Sequence, residues 1–331
     1  MAAPTMDDYV KLICTLFERF VQEQPEHESK QLTYSNQQMI VLFTFLQYRR
    51  IYAFKAQRRW LEAHSEMRKR LGFAGLPHRV TLSRRYKQLA PVVAAFVQFI
   101  GQYASTVDGR LRQTHLVEDK SLFKALGPVW HESDRQAQRI PAKLRHLDTD
   151  ATWSKSGYHG WVYGYGLHMT CNSAAFPAIV QVETAAIAES TVIEQKAPTF
   201  LQSLRPATLA ADNSYAQVKR IRRWAKQGVV LLTPATKWRK GRYAQAYHRY
   251  RKQPANAKRL RNRRTTIEPL FDLIAKVLGT TAKQKQLSVQ RLSNVRTCLA
   301  LATLSVQLAM LVNSIWGLPL RSISTMIAAL T

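Results

Sequence analysis

The sequence predicts a mixed α/β core set between two helical regions, and three observations point there. Apolar residues at helical spacing dominate residues 1 to about 105. From about Thr114 to Leu232, short β-type runs alternate with helical stretches. From about Thr265 to Ile315 the helical period returns.

The first helix is predicted over Tyr9 to about Gln24, where Val10, Ile13, Leu16 and Phe17 share one side. Ser35-Asn36-Gln37-Gln38 reads as a capping box ahead of the apolar run Met39 to Leu46, so a second helix starts there. A third is predicted from Phe54 to Leu71, ending at Gly72. Beyond the turn-rich stretch from Gly72 to Pro77, Thr81 is the expected N-cap of a short helix with Leu82, Tyr86 and Leu89 on its inner face. Ser83, Arg84, Arg85 and Lys87 fall on the outer face. A glycine turn between two helices, the second basic on its outside, resembles the recognition half of a helix-turn-helix, with a solvated basic helix as the alternative.

The predicted strands are Leu116 to Asp119, Gly160 to Thr170 with Val162, Tyr163, Tyr165 and Leu167, Phe176 to Val182, Ala207 to Asp212, and Val229 to Leu232. Ala188 to Leu204 reads as helix, as do Thr265 to Leu278 and Leu292 to Ile315. The stretch Cys298 to Trp316 could mimic a membrane span, but Thr303, Ser305, Gln307 and Asn313 interrupt it, which predicts a buried helix. Three widely spaced cysteines (Cys14, Cys171, Cys298) without a C-x-x-C pair predict no disulfide framework or zinc ribbon, and an intracellular setting. Asp7 and Asp8, close behind Met1, are the opposite of a secretory n-region.

Charge narrows the function. Lys and Arg number 49 against 21 Asp and Glu, a net charge of +28, yet 46% of the chain is hydrophobic. That excludes a disordered polycation, and the charge excess calls for a polyanionic partner, nucleic acid above all. The distribution is more telling. Between Asp212 and Glu268 there are 55 residues without an acid and with 17 Lys plus Arg, and none follows Asp272. The acids that survive in and beside such a surface are candidates for chemistry.

Asp119 and Asp212 end predicted strands, and Glu268 falls in the first turn of a predicted helix with Ile267, Leu270, Phe271 and Ile274 inside. Three carboxylates from three elements are suited to a hard divalent cation, Mg²⁺ or Mn²⁺, that activates water or a 3′-hydroxyl. Each has an alternative. Glu118 competes with Asp119, since strand alternation lets one of them point inward; Asp212 could cap a helix through Asn213 and Ser214; Asp272 shares a face with Glu268. Asp148 and Asp150 read as turn acids, and His131 and His168 as structural. Trp224, Trp238, Tyr243, Tyr247 and Tyr250, set among Lys and Arg, could stack on bases or pack in a core.

These residues together resemble a bacterial insertion-sequence transposase of the DDE type. The anchors are the strand at Asp119, the segment Tyr158 to His168, Leu209-Ala210-Ala211-Asp212-Asn213-Ser214-Tyr215, Arg264-Thr265-Thr266-Ile267-Glu268, and Leu76 to Arg85. The resemblance implies a ribonuclease H-like α/β catalytic domain over 109–331 with C-terminal helices, preceded by an all-helical, helix-turn-helix-like DNA-binding region over 1–108. It implies Asp119, Asp212 and Glu268 as catalytic acids ligating two Mg²⁺ or Mn²⁺ ions. Arg264, with three residues between it and Glu268, matches the family's arginine. The family's tyrosine position holds Arg261 and its lysine position Ala275, with Lys276 one step late. The expected DNA contacts are Arg84, Arg85, Lys87, Arg261, Arg264 and Lys276. The partners implied are the element's terminal inverted repeats and target DNA, in the cytoplasm with nucleoid association, by a homo-oligomer and without a membrane. The rival readings are a catalytically inactive DNA-binding relative acting as repressor or architectural protein, and an unrelated nuclease that cuts without joining.

Overall fold

The computed structural model describes residues 3–28, 32–157, 160–234 and 240–331. Six helices come first: α1 (Met6–Glu23), α2 (Asn36–Tyr48), α3 (Phe54–Ala63), α4 (Ser65–Arg70), α5 (Arg79–Gln88) and α6 (Ala90–Val107). Then follow β1 (His115–Lys124), α7 (Glu132–Gln136), β2 (Thr152–Ser156), β3 (Gly160–Asn172), β4 (Pro177–Thr184), α8 (Glu189–Pro198), β5 (Thr208–Ala210), α9 (Val218–Lys226) and β6 (Val230–Leu232). The chain ends in α10 (Arg242–Lys252), α11 (Pro254–Leu278), α12 (Leu292–Ile315) and α13 (Ser324–Leu330).

Helix α2 begins at the expected capping box, with the Ser35 hydroxyl accepting from Gln38 N and the Gln38 side chain accepting from Ser35 N. The predicted third helix is split at His64 into α3 and α4, and α5 is capped by His78 rather than Thr81. Helix α12 has the expected boundaries. The last predicted helix before it starts earlier than its apolar period shows, because 254–264 is a solvated basic stretch with little apolar signal.

The sheet runs β2-β3-β1-β5-β6, and β4 shares the outer edge of β3 with β2. β1 is antiparallel to β3, with Asp119 opposite Met169, and parallel to β5, with Val117 opposite Ala210. β5 is parallel to β6. Gly164 is needed where β3 meets β1, since a Cβ there would lie 1.9 Å from the Phe123 carbonyl oxygen.

Alternation along β1 sorts its residues between two cores. Leu116 packs with Ile193, Phe200, Leu209, Ile221 and Trp224 on the α8/α9 side. Val117 and Phe123 join Leu167, Met169 and the helices α2, α6, α11 and α12 on the other. That larger core is continuous from the N-terminal helices into the sheet. α12 and α6 are the two described helices long and apolar enough to cross a membrane, and 89% of the most apolar α12 window is buried within the protein. Gln307 at the heart of α12 donates to Val97 O of α6 and Pro177 O of β4, at 2.8 and 2.9 Å. Thr303 and Ser305 donate to carbonyls one turn back at 2.9 and 2.8 Å, and the Asn313 amide donates to Pro319 O at 3.0 Å, so the interrupting donors find partners inside the protein as a core helix requires.

Candidate active site

Asp119 does not end its strand. β1 continues five residues beyond it to Lys124, placing the carboxylate mid-strand on the face covered by α11. Its Oδ1 accepts from Lys120 N at 2.8 Å. Asp212 stands two residues past Ala210, as Asp119 stands two past Val117, and those two residues are paired across the parallel strands. Asp119 within β1 and Asp212 just past the end of β5 are therefore set at one level. Asp212 also plays the capping role foreseen for it, accepting from Ser214 N at 2.8 Å and from the Ser214 hydroxyl at 2.5 Å.

Burial, with added repulsion from Asp212, Glu118 and Glu189, pushes the Asp119 carboxyl up to about 7, against the lowering effect of the Lys120 amide. The donors are all carboxylate oxygen, the set that Mg²⁺ or Mn²⁺ prefers, so the residues present fit a hard divalent ion. Among the described residues no three Asp, Glu, His or Cys side chains approach closely enough to hold an ion as they stand.

Glu118 is otherwise engaged. It faces the opposite side of the sheet, fully buried, where Lys196 Nζ lies 2.7 Å from its Oε1 and the Thr170 hydroxyl donates to Oε2. Burial raises its carboxyl and lowers the Lys196 ammonium, and the contact between them opposes both shifts. His168, on the same face, is wholly buried and pushed down by desolvation and by the Lys196 and Lys120 charges, so it is neutral.

Glu268 lies in the middle of α11 rather than in a first turn. Ile267, Leu270, Phe271 and Ile274 are buried beneath it as expected, while Glu268 and Asp272 are both exposed one turn apart. Arg264 Nε is 4.0 Å from Glu268 Oε1. α11, the helix that carries Glu268, packs on both β1 and β5. Its far end is fixed by the N-terminal region. Arg50 donates to Val277 O and, at 3.0 Å, to Lys276 O, and the Tyr52 hydroxyl donates to Leu278 O at 3.0 Å.

The basic residues divide. Arg84 and Lys87 are exposed and line a cleft of about 750 Å³ with Lys55, Arg79 and Ser83. Arg85 is a correction: it is buried, and its guanidinium donates to Asn36 Oδ1 at 2.5 Å, so it braces α5 on α2 and is not on the outer face. Arg261, Arg264 and Lys276 are exposed along α11. Of the aromatic candidates, Trp224 and Tyr247 are core residues, Tyr250 is half-buried, and Trp238 lies outside the described residues, as do Tyr158 and His159. Tyr243 is 57% exposed, with the Arg242 and Arg222 guanidiniums 4.9 and 5.7 Å from its ring.

Asp148 and Asp150 lie in a turn, as expected, with Asp150 N donating to Asp148 Oδ1 at 3.3 Å, but they also have a role the sequence did not show. They are caps of α12: Asp148 accepts from Arg291 N and from the Tyr165 hydroxyl, at 3.1 and 2.8 Å, and Asp150 accepts from Leu292 N at 2.9 Å. Their partners lie about 140 residues away, so no local pattern signals the role. Lys285, in the loop after α11, was also missed; its ammonium donates to the Ser121 hydroxyl at 2.8 Å and feels the Asp272, Glu268 and Asp119 charges.

The family model for the transposase DDE domain matches residues 128–301, more than half of the chain. The chain belongs to that family and is an insertion-sequence transposase, an enzyme that acts on DNA; the family works generally with divalent metal ions. Asp212 and Glu268 lie inside the matched segment, and Asp119 lies nine residues before it. None of the curated proteins matches the chain significantly.

Proposed function

We propose that this transposase nicks DNA at the ends of its element and joins the freed 3′-ends to target DNA, using Asp119, Asp212 and Glu268 as its catalytic acids. What supports this is the register that sets Asp119 of β1 level with Asp212, just past the end of the parallel strand β5, together with the packing of α11, the helix that bears Glu268, on both strands. The strand order, with an antiparallel neighbour on one side of β1 and parallel neighbours on the other, supports a ribonuclease H-like catalytic domain over 109–331. Residues 1–108 form the helical DNA-binding region in this reading.

Two divalent cations, Mg²⁺ or Mn²⁺, would supply the activation of water or of a 3′-hydroxyl and the stabilisation of the leaving oxygen. The chain's own residues do the rest. Asp119 and Asp212 provide closely set negative charge on a rigid sheet, and Glu268 supplies a third carboxylate from the opposite wall. Arg261, Arg264 and Lys276 line the same helix and hold the phosphate backbone there, while Arg84 and Lys87 hold a second stretch of duplex at the α5 cleft. The protein works in the cytoplasm at the nucleoid, and pairing two element ends calls for a homo-oligomer.

The test is cation-dependent nicking and strand transfer on a fragment carrying the terminal inverted repeats. Asp119→Asn, Asp212→Asn and Glu268→Gln are each expected to lose activity by a factor of about 10³ or more while still binding DNA. Full activity in any one of them removes that residue from the site.

A further inference from the structure

The loop after α11 places one ammonium between the two walls of the site. Lys285 Nζ donates to the Ser121 hydroxyl at 2.8 Å, and Ser121 is the next residue after Asp119 on the same face of β1. The same ammonium sits 5.9 Å from the Phe123 ring of β1 and 5.5 Å from the Phe271 ring of α11. It thus bridges the strand of Asp119 and the helix of Glu268. The carboxylates that act on it are Asp272, Glu268 and Asp119.

Its backbone is built for that position. Lys285 has φ 43°, a left-handed conformation that a non-glycine residue holds only where its surroundings impose it. They do so here: Lys124 N donates to Lys285 O at 2.8 Å, Leu287 N donates to Lys124 O at 3.0 Å, and Lys285 N donates to Thr281 O at 2.9 Å. The loop in effect adds a short parallel bridge at the end of β1, at Lys124 and Gln286. A long cation would lose considerable rotamer freedom in such a site, and a solvated surface lysine has no reason to accept that loss.

We infer that Lys285 is a positioning residue of this centre, an internal counter-ion tethered to Ser121 that holds the Asp119 and Glu268 walls together until a divalent cation takes over their charge. The inference rests on the site reading given above. Two positive charges then compete for one set of carboxylates, so the lysine stabilises the metal-free protein and weakens metal binding.

The experiment is a calorimetric titration of the full chain with Mn²⁺ alone, paired with thermal unfolding in EDTA. Lys285→Gln is expected to bind Mn²⁺ about fivefold more tightly, or better, from the loss of a like charge at close range. It is also expected to unfold at lower temperature than wild type in EDTA, with the gap narrowing at saturating Mn²⁺. Lys285→Arg keeps the charge and is expected to follow the wild type. Ser121→Ala removes only the tether and shifts both readouts in the direction of Lys285→Gln, which carries the test if that variant does not fold. Unchanged or weaker Mn²⁺ binding in Lys285→Gln and Ser121→Ala overturns the inference, as does Lys285→Arg behaving like Lys285→Gln. Equal Mn²⁺ binding by wild type and Asp119→Asn instead overturns the site reading beneath it.

Discussion

Asp119 in β1 and Asp212, just past the end of the parallel strand β5, each stand two residues beyond a paired neighbour, Val117 and Ala210. Burial above all, with repulsion from Asp212 added, raises the Asp119 carboxyl to about 7. Because the folded value exceeds the ordinary 3.8, the stabilising form is the protonated one. The metal-free protein should therefore be most stable below about pH 4 with respect to this group, and should lose that contribution as pH rises through 7. Asp119→Asn is expected to abolish the dependence and to stabilise the EDTA-treated protein at pH 8 by about 2 kcal/mol. Urea unfolding of both proteins at pH 5 and pH 8 checks it, and an identical pH trend in the variant would assign the effect elsewhere.

The buried pair Glu118–Lys196 on the reverse face makes a separate prediction. Lys196→Met leaves a carboxylate with no counter-charge in a dry core, and is expected to cost about 3–5 kcal/mol. The double variant Glu118→Gln/Lys196→Met should recover much of that loss. Denaturation midpoints of the two variants decide the matter, since equal midpoints would mean that the ion pair itself is what the fold needs.

Arginines 84 and 85 are neighbours in sequence with opposite fates. Arg84→Ala and Lys87→Ala should weaken DNA binding, each lowering the slope of log affinity against log salt by about 1. Arg85→Ala should leave that slope unchanged and lower thermal stability, because it loses the Asn36 contact. Fluorescence anisotropy over a salt series distinguishes the two behaviours, and a reduced slope in Arg85→Ala would contradict its inward placement.

Tyr243 carries an exposed ring between two guanidiniums, whereas the Tyr247 ring is core and its hydroxyl donates to Leu231 O at 3.0 Å. Tyr243→Ala is expected to weaken single-stranded DNA binding by about 1–3 kcal/mol with little change in melting temperature. Tyr247→Phe should do the reverse. Gel-shift titrations with a short oligonucleotide, run beside melting curves, would expose any exchange of these roles.

The α12 caps offer a stability test. Asp150→Ala removes one N-terminal acceptor and should cost about 1 kcal/mol. Asp148→Ala strands both Arg291 N and the buried Tyr165 hydroxyl, and should cost about 2–4 kcal/mol. Comparable losses in calorimetry would show that burial adds nothing to the cap.

How much of this was legible in the sequence follows from the range of the interactions involved. Helix α12 was readable to the residue because its apolar run and its flanks are local signals. Asp119, Asp212 and Glu268 were singled out because a basic background makes the remaining acids conspicuous. Strand β1 was cut short at Asp119 because Lys120 and Ser121 break the apolar pattern, while pairing with β3 and the bonds from Lys120 Nζ to Ala185 O and Ile187 O carry the strand on. Arg85 was misassigned because its partner, Asn36, lies 49 residues away. Lys285 gave no signal at all, since its meaning depends on a serine and two rings brought in from elsewhere in the chain.

Gln307 on α12 ties α6 of the first hundred residues to β4 of the sheet through contacts that span 210 and 130 residues of chain. Closure of the main core is therefore a long-range step of folding. Until α12 docks, α6 and β4 expose the apolar surfaces it covers, and the chain is open to misassociation in that interval.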